Sequence, residues 1–136
     1  MKTPNVIFIS IDSLRSDAVS VLNPQSGYTP FLERFCEDST VFESAFAQAD
    51  WTVPSHMSIF TGLYPTEHGV ISGEHSLGNR PTLAEKASQS GYETKANFRL
   101  SWFNGGGLPR RFDQTETNSD QGQAGLSAEF KSVIKN

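Results

Sequence analysis

Asp12 directly follows an apolar run, Val6-Ile7-Phe8-Ile9-Ser10-Ile11, and opens a polar cluster, Ser13-Leu14-Arg15-Ser16-Asp17. A carboxylate so placed suits a hard cation. Mg²⁺, Ca²⁺ and Mn²⁺ take carboxylate oxygens, and Zn²⁺ also accepts them. Taken alone, Asp12 also reads as the cap of a following helix. A second segment, Trp51-Thr52-Val53-Pro54-Ser55-His56, sets a hydroxyl just ahead of a proline. Proline favours the first turn of a helix, and the start of a helix offers N–H groups and partial positive charge to an anionic ester. A threonine hydroxyl is a weak nucleophile at neutral pH and needs a base or a metal ion to activate it. Taken alone, Thr52 too reads as a helix cap.

The elements around these residues give them positions. The run from Val6 to Ile11 is continuous and rich in β-branched residues, the pattern of a central parallel strand covered on both faces. Chemistry in α/β proteins gathers where such strands end. Thr29-Pro30 opens a helix that puts Phe31, Leu32, Phe35 and Cys36 on one face. Thr40 to Phe46 alternates loosely, as a short strand would. A helix is expected over Pro54 to Phe60, closed near Gly62. Another begins at Thr82, where Thr82 and Glu85 have capping-box spacing, and stops by Gly91. Glu93 to Leu100 reads as the next strand. The alternation of strand and helix predicts an α/β fold. From Gln114 to Gly125 the sequence turns polar and reads as a flexible linker. Leu126, Phe130, Val133 and Ile134 then fall at the spacing of a short amphipathic helix. A parallel sheet ending there would have few strands and bare edges.

Composition excludes some partners. The 136 residues carry 15 acidic and 11 basic side chains, a net charge of -4, with no dense basic stripe, so a nucleic-acid partner is not expected. Cys36 is the only cysteine, so no disulfide forms within the chain. The apolar run near the N-terminus is too short for a membrane span or a signal-peptide core, so no membrane segment is expected and the default compartment is the cytoplasm.

Read together, the two segments resemble the sulfatase family of the alkaline phosphatase superfamily. Asn5 to Arg15 reads N-V-I-F-I-S-I-D-S-L-R, like that family's strand ending in a metal-binding Asp with an Asp-x-x-Arg pattern. Trp51 to Pro65 reads W-T-V-P-S-H-M-S-I-F-T-G-L-Y-P, like the Cys/Ser-x-Pro-Ser-Arg signature and the helix ending Thr-Gly-x-Tyr-Pro. Phe42 to Ala47, Pro81 to Glu85 and Gly91 to Thr94 match flanking segments. The resemblance implies an alkaline-phosphatase-like α/β fold, a mostly parallel sheet flanked by helices and here truncated. Residues 1–113 would be the N-terminal part of a sulfatase-like catalytic domain, and 114–136 the linker and terminal helix. It implies a metal-dependent hydrolase of sulfuric or phosphoric esters. Asp12 and Thr52 would bind one divalent ion (Ca²⁺, Mn²⁺ or Zn²⁺), Thr52 would be the nucleophile, and Arg15 would hold anionic groups. Arg15 reads equally as a surface residue.

The sequence also departs from the family pattern. Thr52 replaces the Cys or Ser that sulfatases oxidise to formylglycine. It resembles the threonine of lipoteichoic acid synthases and phosphoethanolamine transferases, which fits phosphoryl transfer. His56 replaces the signature arginine; it stands one turn past Thr52, where it can shuttle protons near pH 7 or support the site by hydrogen bonding. Family members are several times longer and draw further ligands from a late Asp-Asn or Asp-His pair, and neither pair occurs here after Thr52. The chain therefore reads as an N-terminal fragment of such an enzyme. The alternative is an inactive truncated or split-gene remnant that binds an anion or a downstream-encoded partner chain without turnover.

Overall fold

A computed structural model describes residues 4–99 and 106–117. The chain divides into two units, residues 1–47 and 48–136.

The first unit contains a 3₁₀ turn, Ser16–Ala18, and one short helix, α1 (Pro30–Cys36). Pro30 occupies the first helical turn, as expected. Thr29 does not cap the helix with its side chain. Its hydroxyl instead accepts the Ser20 N–H at 2.8 Å, while the Ser20 hydroxyl accepts the Thr29 N–H at 3.0 Å. Ser26 joins this cluster by donating to the Ala18 carbonyl at 3.3 Å, and the Asn23 amide donates to the Asp17 carbonyl at 2.8 Å. Ser20 is the buried centre of the unit, so hydroxyl pairing rather than apolar packing organises it. Phe31 and Phe35 stack with centroids 6.1 Å apart, yet both rings are exposed.

The second unit is built on α2 (Thr52–Thr61), α3 (Pro65–His68), α4 (Leu83–Gln89), the strands β1 (Lys95–Phe98) and β2 (Gln114–Thr117), and a 3₁₀ turn, Pro109–Arg111. Val53, Met57 and Phe60 recur on one face of α2 and are buried with Val70, Leu77, Phe98 and Leu108. Phe112 meets Phe60 and Phe98 edge-on, at centroid distances of 5.7 and 5.8 Å. Gly62 ends α2 with φ 71°, in the left-handed region that suits glycine. Gly106 lies against Met57, where a Cβ would overlap the Met57 Cε.

The capping box of α4 forms. The Glu85 carboxylate accepts the Thr82 N–H at 2.9 Å, and the Thr82 hydroxyl accepts the Glu85 N–H at 3.4 Å. The same carboxylate pairs with Arg111 at 2.7 Å, and Arg111 also donates to the Gly78 carbonyl. Burial pushes the Glu85 carboxyl up, but hydrogen bonds from Arg111 and Thr82 outweigh it and hold it below the ordinary value. β1 and β2 pair in parallel, Lys95 opposite Gln114 and Phe98 opposite Thr117. Asp113 fixes that start: its carboxylate accepts the Thr94 N–H at 2.8 Å, the Thr94 hydroxyl at 2.9 Å and the Ser88 hydroxyl at 3.2 Å.

This architecture corrects the expected alkaline-phosphatase-like α/β fold. Among the described residues the chain is mostly helical, with one two-stranded sheet. Residues 6–11 form no strand, and Val6, Ile7, Ile9 and Ile11 are 58–74% exposed. A central parallel strand needs a paired neighbour on each edge and cover on both faces, and no strand among the described residues provides the pairing. Thr40 to Phe46 is likewise irregular. Gln114–Thr117, polar enough to resemble a linker, becomes a strand because it pairs with β1. The terminal helix expected from Leu126 to Ile134 lies outside the described residues. No helix among the described residues is long and apolar enough to cross a membrane.

Substitutions at three positions test the second unit. Glu85→Ala removes both cap and ion pair and should lower unfolding stability by about 1–3 kcal/mol. Glu85→Gln, which keeps the cap, should cost clearly less, and Arg111→Ala should add little on top of Glu85→Ala. Urea denaturation of the four chains measures this. Gly106→Ala should cost less than about 1 kcal/mol, because its Cβ meets the free end of the flexible Met57 side chain, which can turn aside, read as a small fall in the urea midpoint without a change in slope.

Candidate functional site

Thr52 is the first residue of α2, two positions before Pro54, the expected start of the helix. Trp51 takes the N-cap position in extended backbone (φ -142°, ψ 165°) and makes no side-chain cap. Thr52 is half-buried, and Val53 and Pro54 behind it are buried. The packed face of α2 thus fixes where Thr52 stands, at the end of the helix that carries partial positive charge.

His56 lies one turn further on. Its Nδ1 is 2.8 Å from the Thr52 carbonyl oxygen. A carbonyl only accepts, so Nδ1 carries the proton and Nε2 is the acceptor nitrogen of the neutral ring. The structure therefore joins Thr52 and His56 through the backbone.

Asp12 and Arg15 belong to the first unit. Asp12 is exposed, in a turn whose next residue, Ser13, has φ 58°, an uncommon value for a residue other than glycine. Arg15 grips Asp17 with two parallel bonds, Nε to Oδ1 at 2.9 Å and Nη2 to Oδ2 at 2.7 Å. Each partner stabilises the other's charge: Asp17 raises the Arg15 pKa, and Arg15 lowers that of Asp17. Both side chains are exposed. The fork expected to hold an anionic group is thus engaged by a carboxylate two residues away.

The expectation of a bound divalent ion (Ca²⁺, Mn²⁺ or Zn²⁺) is corrected. Among the described residues no three of the His, Cys, Asp and Glu side chains stand together so as to hold a metal ion. One carboxylate and one hydroxyl fall short of the four to eight donors such ions take.

One polar pair was not anticipated from sequence. Ser58, on the buried face of α2, and His68, the last residue of α3, meet at 3.1 Å between Oγ and Nε2. His68 Nδ1 accepts the Val70 N–H at 3.0 Å. Nδ1 is thus the unprotonated nitrogen, and Nε2 donates to Ser58. That polarity is opposite to a nucleophile and its base, where the serine donates. The legible signal was a hydroxyl between Pro54 and Gly62 on an apolar helix face, since a buried hydroxyl needs a partner.

Comparison with known proteins agrees with the motifs. The family model described as Sulfatase matches residues 4–127. The arylsulfatase of Clostridium perfringens is 30% identical over 94 residues, which are 68% of this chain and 20% of the relative. The N-acetylglucosamine-6-O-sulfatase of Bacteroides thetaiotaomicron is 28% identical over 94 residues, covering 68% of this chain and 17% of that protein. A sulfatase of Formosa agariphila is 33% identical over 67 residues, 49% of this chain and 13% of the relative. No solved structure matches the chain. The chain spans a fifth or less of the length of these curated relatives. A family match over residues 4–127, nearly the whole sequence, leads to one conclusion: the chain belongs to the sulfatase family.

Proposed function

We propose that these residues act as the N-terminal segment of a sulfatase-family domain that does not turn over ester substrate alone and binds a complementing polypeptide through residues 6–11. The exposure of that run carries the reading. Val6, Ile7, Ile9 and Ile11 each leave more than half their surface to water. Covering such side chains is worth about 1–2 kcal/mol apiece. Successive residues of an extended run point to opposite sides, so an apolar run of this kind presents two apolar faces. A single helix or a small molecule covers one face. A polypeptide that adds strands at the edges and packing on both sides covers the run completely. The relatives support this source of cover, because the part matching this chain is a fifth or less of each.

Ester chemistry then belongs to the completed domain. There the Thr52 oxygen bonds to the ester's sulfur or phosphorus as the bond to the alcohol oxygen breaks. His56 takes the hydroxyl proton at Nε2 and passes it to the departing alcohol, and water then releases the group from Thr52. Arg15 exchanges Asp17 for an anionic group of a sulfuric or phosphoric ester, the class that the relatives' names and the Thr52 hydroxyl together suggest.

Co-expression with the polypeptide encoded directly downstream tests the assembly. The two chains should co-elute, amides of residues 6–11 should become protected from hydrogen exchange, and Ile7→Lys with Ile9→Lys should abolish both effects. The chain alone should show no Thr52-dependent hydrolysis of nitrophenyl sulfate or phosphate. Separate elution with the run still exchanging, or hydrolysis by the isolated chain that Thr52→Ala removes, overturns the reading.

A further inference from the structure

We infer that His68 is an acid-sensitive latch: its neutral ring fastens α2 to the segment after α3, and protonation releases that segment. The geometry requires it. The ring is fully buried at the end of α3. Its acceptor nitrogen, Nδ1, holds the Val70 N–H at 3.0 Å, and its donor nitrogen, Nε2, faces Ser58 at 3.1 Å with the Pro54 carbonyl also in reach. One neutral tautomer satisfies both sides. A second proton can go only to Nδ1, where it would point at the Val70 N–H. The bond would be lost, two donors would oppose each other, and a cation would be buried. An orphaned buried N–H alone destabilises the fold.

The charged neighbours do not remedy this. From α2 the ring faces Ser58, and the Pro54 backbone favours the protonated ring, less strongly than burial opposes it. Glu67, beside it on α3, favours the protonated ring, but its carboxylate accepts the Tyr64 N–H at 2.9 Å. Arg80, whose guanidinium donates to the Glu67 carbonyl at 3.1 Å, opposes a second cation. Burial is the largest influence and pushes His68 below its ordinary value.

What the latch holds is specific. Val70 and Leu77 are core residues of the segment it secures, and Leu77 ties on to the Gly106 carbonyl at 3.3 Å. Pro54 and Ser58 lie on the helix that carries Thr52 and His56. His68 is therefore a positioning residue for that helix.

The sign of the pH dependence follows. With the folded value depressed, unfolded His68 binds more protons than folded His68 below about pH 6.5. Stability is complete above that value and falls as pH decreases through it. For a full-length chain labelled on histidine, NMR should show His68 as the Nε2–H tautomer at pH 7.5. The protection of the Val70 amide against hydrogen exchange should fall as pH drops below 6.5, by less than about tenfold per pH unit, and level off once folded His68 is itself protonated. His68→Asn, which can accept but not titrate, should flatten that slope. Ser58→Ala, which leaves Nδ1 on Val70, should retain it and serves if His68→Asn does not fold. An Nδ1–H tautomer, or Val70 protection unchanged between pH 7.5 and 5.5 while His68 titrates normally, overturns the inference.

Discussion

Burial of one face of α2 is the constraint on which the second unit rests. Val53, Met57 and Phe60 make a stripe that only a helix can present, and every neighbouring element packs against or beside it. Gly106 lets the chain pass close to Met57, and Phe112 bridges Phe60 to Phe98 and so connects the helix to the strand pair. The polar groups admitted to this interior are each answered: Thr82 by Glu85, His68 by Val70 and Ser58. Thr52 and His56 are fixed in space because the far side of their helix is. Precision at one end of a helix comes from packing along its buried face.

The first unit is made differently. Its centre is a serine, and its aliphatic and aromatic side chains mostly face water. Local hydroxyl and amide bonds shape its turns, but they are short-range and bring no distant elements together. The contrast explains how one chain can carry a family's motifs without the family's expected sheet. The motifs are local, whereas a sheet exists only when its strands find each other.

That distinction also sets what was legible in the sequence. The capping box at Thr82, the glycine stop after α2 and the proline start of α1 were readable, because each depends on residues within one or two turns. The run at residues 6–11 was misread as a strand of this structure because strand identity depends on partners that local pattern does not supply. Gln114–Thr117 erred in the other direction: its polar residues hide a strand that pairing with β1 creates. At the site, the position of Thr52 at a helix start was legible from Pro54. The tautomer of His56 and the partner of Arg15 were not, since both depend on where a side chain turns rather than on its type.

The clasp between Asp113 and Thr94 has a further consequence. It sits one residue before each strand, binding the two starting points by backbone and side-chain bonds at once. A sliding of one strand past the other by a single position would break all of those bonds and turn each side chain to the wrong face. Alignment is therefore decided outside the paired residues. Lys95, Asn97 and Glu116 are relieved of specifying it, and exchanges at those positions can accumulate over evolutionary time without the ribbon losing its alignment.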